Sequence, residues 1–284
     1  MKISILIPTF NNLSYLKFFL NSLKKNSSFD HEIVIHVNDG SEGTLDFVKK
    51  SNFKFTHSKE NTGLCSSMNN AYKLSTSDFL LYAHDDMYFC KNWDKYLIDE
   101  INKQKNNFYY LSGTNVSTRF GLINYNCGDT LENFDENKFL KFCIDDNTPD
   151  LQSAHWAPHL IHRELWDKIG GFSEEFNPGD GSDPDFCMKL WLENVRIFKG
   201  ISKFKVYHFN SLTTRNNKVT LNNGTKIFLL KYGFNPKFFR KYYLKGNNSI
   251  IPYRGILDEP KNNFFMFIEL IVNKLKYFFY KFKF

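Results

Sequence analysis

Two pairs of carboxylates are placed where they could do chemistry. Asp85 and Asp86 are adjacent in Tyr82-Ala83-His84-Asp85-Asp86-Met87, directly after an apolar run that reads as a strand. Carboxylates at the end of a strand can hold a hard divalent cation against a diphosphate, and Mg²⁺ keeps only one or two of them while taking phosphate oxygens for the rest. By itself the pair reads as readily as a solvated turn. Asp183 and Asp185 follow the Gly-rich stretch Gly170-Gly171-Phe172-Ser173-Glu174-Glu175-Phe176 and precede Phe186, Leu190 and Val195 at helical spacing. An acid in that position can accept a proton as general base or cap the helix N-terminus. Capping accounts for Asp185 more easily than for both acids.

The elements around these residues follow from hydrophobic period. Ile3 to Ile7 is a short apolar run ended by Pro8, and Leu16, Phe19, Leu20 and Leu23 then recur at helical spacing after Asn11 or Asn12 as cap. The cycle repeats through a strand at Ile33 to Val37, a helix from about Glu42 to Lys50, a strand near Phe53 to Thr56, a helix from Leu64 to Leu74 and a strand at Phe79 to Ala83. Strands alternating with helices predict an α/β fold, a mostly parallel Rossmann-like sheet with helices on both faces. Ligands of such sheets bind beyond the carboxyl ends of the strands. The residues there are Thr9 and Asn11, Asn38 and Asp39, and His84, Asp85 and Asp86. Residues 108 to 160 are less regular, with a strand signal only near Phe108 to Leu111.

Composition narrows the classes. The chain has 284 residues, a formal charge of +7, 42% hydrophobic and 18% aromatic residues. Cys65, Cys90, Cys127, Cys143 and Cys187 are scattered, odd in number and without a C-x-x-C pair, which points to a reducing, cytoplasmic setting rather than a disulfide or zinc framework. No secretory h-region and no run of eighteen uncharged apolar residues is found, so neither a signal peptide nor a membrane span is predicted. Matches to N-x-[ST] at Asn26, Asn115, Asn223 and Asn247 are the chance yield of an Asn-rich chain. The phosphate-binding loops G-x-G-x-x-G and G-x-x-x-x-G-K-[ST] are absent, which removes dinucleotide oxidoreductases and P-loop enzymes. The basic residues are mostly Lys, densest in the C-terminal third, a poor match to nucleic-acid binding. His155, His159 and His162 do not suit zinc, because Pro158 interrupts a continuous helix; stacking of Trp156 or His159 on a sugar and a core role are the readings left open.

From 261 onward Phe264, Ile268, Ile271, Leu275, Phe278 and Phe282 fall on one helical stripe, with Lys274, Lys276, Lys281 and Lys283 off it. Such a helix packs on its parent domain or a second copy, or lies in a membrane interface.

The motifs together resemble the family 2 glycosyltransferases of the GT-A fold, over about residues 2 to 210. They are ISILIPTFNN at the start, VNDGS at 37–41, ENTGLCSSMNNA at 60–71, HDD at 84–86, GGFSEEF at 170–176, SDPDF at 182–186 and VYHFNS at 206–211. The resemblance implies a glycosyltransferase domain at 1–215, with a nucleotide-sugar half (1–110) and an acceptor half (111–215), followed by a C-terminal helical extension at 216–284. It implies that Pro8, Thr9 and Asn11 line the nucleotide pocket, that Asp39 accepts a hydrogen bond from the base, and that Asn61 and Gly63 flank the nucleoside. Asp86 and His208 would hold Mn²⁺ or Mg²⁺, Asp85 would lie nearer the ribose or sugar, and Asp183 would be the catalytic base, with Asp185 the alternative. His84 stands where an acid or Asn is more usual, Ser182 where a Glu commonly precedes the base, and Lys189 where Arg is frequent.

The expected activity is inverting transfer from a nucleotide diphosphate sugar, most naturally a UDP-sugar, to a hydroxyl of a glycan or lipid-linked acceptor. A base takes the acceptor proton, and a cation offsets charge on the leaving diphosphate. The expected setting is the cytoplasm, with peripheral contact to the inner membrane through the C-terminal helix and room for a homo-oligomer. The other readings are a scaffold that keeps the fold without turnover, and a sugar nucleotidylyltransferase. Asp86, Asp183 and His208 together count against the scaffold, and PTFNN lacks the Gly-rich, Arg-bearing loop of the nucleotidylyltransferases.

Overall fold

A computed structural model describes residues 1–119, 121–152, 156–209, 219–246 and 250–282. The expected cycle is present as β1 (Ile3–Phe10), α1 (Leu13–Asn26), β2 (Glu32–Asn38), α2 (Thr44–Lys49), β3 (Lys54–Ser58), α3 (Leu64–Tyr72) and β4 (Phe79–Tyr82). Then come β5 (Met87–Phe89), α4 (Trp93–Ile101), β6 (Tyr109–Ser117), β7 (Ile123–Asn124), α5 (Glu136–Asp145), β8 (Leu151–Gln152), β9 (His159–His162), α6 (Arg163–Ile169), α7 (Ser182–Leu192) and β10 (Ile197–His208). Three helices follow: α8 (Gly224–Tyr232), α9 (Pro236–Tyr242) and α10 (Phe264–Phe282).

The strands form one sheet in the order β3-β2-β1-β4-β9-β6-β10-β5, with β7 beside β6 and β8 beside β10. Its first part is parallel, as βαβ units require. β5, β8 and β9 run antiparallel to their neighbours. These are the strands for which no helical crossover could be read from the sequence.

β1 is buried from Ile3 to Ile7 because it has a neighbour on each side. Pairing with β4 ends at Leu6↔Tyr82, whereas pairing with β2 runs on to Phe10↔Asn38. The strands therefore part beyond Leu6, at the place where the strand order reverses, and a crevice opens there. The strand passes Pro8 and continues to Phe10 because Pro8 falls where only one side still pairs, so its missing N–H costs little.

Several helix ends are held by residues far away in sequence. Asn12 is the N-cap of α1 but its side chain makes no capping bond; the Glu42 carboxylate accepts from the Leu13 N–H at 3.1 Å instead. At α3, Asn177 Oδ1 accepts from the N–H groups of Cys65 (3.0 Å) and Ser66 (3.4 Å). Asn69 of α3 in turn clasps Phe172, accepting from its N–H and donating to its carbonyl, both at 2.9 Å. The loop at 170–178 is thereby fixed to α3. A Cβ on Gly63 would lie 2.4 Å from Asn177 Oδ1, so the close approach needs glycine there.

Candidate active site

The crevice beyond β1, β2 and β4 is lined by Pro8, Thr9, Asn38, Asn61, Asp85 and Asp86, with His84 at its edge. Thr9 Oγ1 donates to Asp85 at 2.6 Å, and Asn12 adds a second bond to the same carboxylate. Burial and the neighbouring Asp86 push the Asp85 carboxyl up from its ordinary range. Asn11 and Asp39 both adopt left-handed backbone, at φ 46° and 55°, and face one another: Asn11 Nδ2 donates to Asp39 at 2.8 Å, and Asn11 Oδ1 accepts from the Gly40 N–H at 2.8 Å. The Asn11 bond and those from Ser41 hold the Asp39 carboxyl low. Asn61 Oδ1 accepts from the Gly63 N–H at 3.0 Å, so Gly63 shapes the turn without lining the crevice itself.

Across the crevice, β10 brings His208 against the turn between β4 and β5. His208 Nε2 lies 3.0 Å from Asp86 Oδ1 and 3.3 Å from His84 Nδ1, and His84 Nδ1 lies 3.9 Å from Asp86 Oδ1. Among the described residues this is the group of acids, histidines and cysteines spaced to hold a metal ion. A point equidistant from the three atoms is about 2 Å from each, an ordinary bond length from imidazole or carboxylate to a divalent cation. Burial, reinforced by the charge of His208, lowers His84 to about 4, so its ring is neutral at pH 7 with a lone pair to offer. For Asp86 the His208 and His84 contacts outweigh the upward pull of burial and keep the carboxyl low. These donors fit a divalent ion.

The donors are oriented from behind. The Tyr82 hydroxyl lies 2.5 Å from His84 Nε2, and Asn115 Nδ2 lies 3.1 Å from His208 Nδ1. Asn115 Oδ1 is buried with no partner. Turning that amide over would let Oδ1 accept from an Nδ1–H, leaving the Nε2 lone pair of His208 free for a ligand.

The second acidic pair divides sharply. Asp185 is fully buried and accepts from Ser173 Oγ at 2.6 Å and the Tyr232 hydroxyl at 2.7 Å, with Lys231 Nζ at 2.9 Å. Its two oxygens are taken up by α8 and the 170–178 loop. These bonds fasten α7 to α8 and to that loop. Asp183, two residues earlier, has a buried Oδ1 without a hydrogen-bond partner. Burial pushes its carboxyl up to about 7, a rise moderated by the nearby charge of His208.

The sequence reading undervalued His84, whose i, i+2 spacing with Asp86 was the available signal, and missed its neighbour Tyr82 as well as Asn115, Asn177, Lys231 and Tyr232, which act from distant positions. Lys189 donates to the carbonyls of Ile169 and Gly171, which accounts for a cation at the position where Arg was expected. His159 is core: it is buried among Tyr110, Tyr82 and Phe186, with ring centroids 4.7–5.1 Å away, and burial lowers it to about 3. Trp156 is partly exposed and lies under the Arg240 guanidinium at 5.3 Å. His155, and Asn210 and Ser211 of the VYHFNS motif, lie outside the described residues.

The family described as "Glycosyl transferase family 2" matches residues 4–169. No curated protein matches significantly. Among solved structures, S. aureus TarS 1-349 in complex with UDP is 22% identical, with a TM-score of 0.54 over 73% of this chain and 60% of that one. The same protein in complex with UDP-GlcNAc gives 21%, 0.54, 74% and 61%. GalNAc-T7 with UDP, GalNAc and Mn²⁺ is 16% identical, with a TM-score of 0.59 over 84% of this chain and 49% of that one. The chain thus spans less than two thirds of the length of these structures, and at such identities the likeness is one of fold.

The two acids are expected to differ in stability. Asp185→Ala removes a fully buried carboxylate from Ser173 and Tyr232 and should cost about 1–3 kcal/mol, whereas Asp183→Asn replaces a buried, unpaired charge with a neutral amide and should leave the thermal midpoint level or higher. Thermal unfolding of both variants checks this; equal losses would remove the distinction between them.

Proposed function

We propose, for a chain that belongs to glycosyl transferase family 2, that it transfers a sugar from a UDP-sugar to a hydroxyl of a glycan or lipid-linked acceptor, with inversion and with the aid of a divalent cation. The observation that carries the reading is the meeting of His84, Asp86 and His208 at the crevice edge, together with the buried, unpaired oxygen of Asp183. The UDP bound by the TarS and GalNAc-T7 relatives supports the choice of donor.

In this reading Pro8, Thr9, Asn11, Asp39 and Asn61 receive the nucleoside, and Gly63 permits the turn that places Asn61. Asp85, held by Thr9, faces the ribose or sugar. His84, Asp86 and His208 hold the cation, which when bound would offset the negative charge on the departing diphosphate. Two imidazoles beside one carboxylate favour Mn²⁺ over Mg²⁺, which prefers oxygen donors. Asp183 accepts the acceptor proton as the hydroxyl oxygen bonds to the anomeric carbon and the bond to the diphosphate oxygen breaks. Attack opposite the leaving group inverts that carbon. A carboxyl near 7 is well matched to this task, since it is a stronger base than an ordinary carboxylate and still about half ionised at neutral pH.

With Mn²⁺, the purified protein is expected to release UDP slowly from one member of a panel of nucleotide sugars, and to lose that release with EDTA or on Asp86→Ala. Release indifferent to both would overturn the role of the cation; no donor bound or cleaved across the panel would overturn the transferase.

The base has its own signature in pH. A carboxylate accepts protons only when ionised, so kcat/KM for the donor in acceptor transfer should rise with pH to a midpoint near 7 and then level off. Asp183→Asn should reduce transfer by about 10²–10⁴-fold. A flat wild-type profile between acid and neutral pH would take Asp183 out of this role.

Asn115 is expected to tune affinity for the cation. Asn115→Leu, which offers no acceptor to His208 Nδ1–H, should weaken Mn²⁺ binding about 10–100-fold, while Asn115→Asp should retain or tighten it. Titration calorimetry with Mn²⁺ alone separates the cases, and equal affinity in all three proteins would leave Asn115 without this function.

A further inference from the structure

The amphipathic character of α10 is evident from its sequence, but the face it buries is not the stripe that the apolar spacing suggested. Met266 and Asn273 are buried, Asn273 accepts from the Asn235 N–H at 3.0 Å, and the helix packs on α8. Glu269, at the border of this face, is engaged by Lys241 and by the Tyr242 hydroxyl at 3.1 Å. The opposite face is left outside: ten large apolar side chains of α10 are exposed, among them Phe265, Ile268, Val272, Leu275, Phe279 and Phe282. At about 100° per residue they fill an arc of roughly 160° centred opposite Met266 and Asn273. Lys274 and Lys281 border that arc on one side and Lys276 on the other. An apolar surface of this extent on a soluble face marks a binding surface.

Charge identifies the occupant. Residues 216–284 hold 13 Lys and Arg against 3 acidic residues, a net +10, so residues 1–215 are left at −3 within the +7 of the whole chain. The cationic excess thus belongs entirely to the segment that bears the exposed helix. A second copy meets this surface poorly, because pairing two such helices sets lysine borders against each other, and the one acid of the helix, Glu269, is already paired. Spanning is also unsuited, since no helix among the described residues is long and apolar enough to cross a membrane.

We infer that α10 docks on an anionic lipid bilayer, lying in the plane of the interface with its Phe, Leu and Val arc among the acyl chains and its lysines at the headgroups. The inference is independent of the chemistry proposed above. Its consequence for the site is geometric: α10 packs on α8, and Lys231 and Tyr232 of α8 bind Asp185 beside Asp183, so the docked helix holds the acidic start of α7 at a set height above the surface.

The test is co-sedimentation of the full chain with vesicles of phosphatidylcholine, with and without phosphatidylglycerol. The full chain should sediment with the anionic vesicles and be partly released by salt. Val272→Asp, Leu275→Asp and Phe279→Asp combined should abolish sedimentation while leaving the thermal midpoint and donor hydrolysis as in the wild type, because all three side chains are exposed. Lys274→Gln, Lys276→Gln and Lys281→Gln combined should weaken binding to the anionic vesicles on the order of 100-fold. A wild-type chain left in the supernatant with both vesicles, or the triple Asp variant sedimenting like wild type, would overturn the inference. So would a wild-type dimer in ultracentrifugation that the triple Asp variant dissociates, since the face would then belong to a second copy.

Discussion

The site depends on one short ladder. β10 runs antiparallel to β5 with Tyr207 opposite Tyr88 and His208 opposite Met87, and the Phe209 N–H continues it to the Asp86 carbonyl at 3.1 Å. Side chains alternate along a strand, so when Tyr207 is driven into the core His208 must face the other way, toward the crevice. Tyr207 and Tyr88 are both buried, packed with Phe134 and Phe139. A slip of one residue would exchange the faces and carry His208 away from Asp86. The same strand lies parallel to β6 with Val206 opposite Asn115, which puts the amide behind the imidazole. The aromatic core is thus what sets the register of the polar constellation.

Much of this was legible from the chain alone where the determinants are local. The apolar runs at Ile3 to Ile7, Ile33 to Val37 and Phe79 to Ala83, separated by helical periods, mark a sheet whose strand ends carry Thr9, Asn38, Asp85 and Asp86, and those residues do meet at one crevice. What was not legible is what depends on distant partners. β5, β8 and β9 are three, two and four residues long, and each exists because a neighbouring strand accepts it. The cap of α1 comes from Glu42 rather than Asn12 for the same reason. Asp183 and Asp185 lie two residues apart, and the partners that separate them come from α8 and the 170–178 loop. The period of α10 was visible in its residues, yet which face is covered is decided by α8 and Asn235.

That separation shows how structure and chemistry share one turn of helix. Asp185 is stabilised by three donors and ties α7 to α8 and to Ser173. Asp183 keeps a buried oxygen unpaired, an arrangement that lowers stability and retains basicity. Strain held at one position is sustained by satisfaction at the next.

The bonds from Asn177 to the start of α3 also bear on how the chain assembles as it is made. α3 has nine residues, too few to persist alone in water, and the acceptor for its first amides lies more than a hundred positions downstream. β4 likewise awaits β9 before its outer edge is paired. A ribosome that has released only the first 110 residues has therefore delivered β1, β2 and β3 for α3 to pack on, but not the acceptor for its first amides. The first turn of α3, made early, is completed only when the 170–178 loop has followed it out.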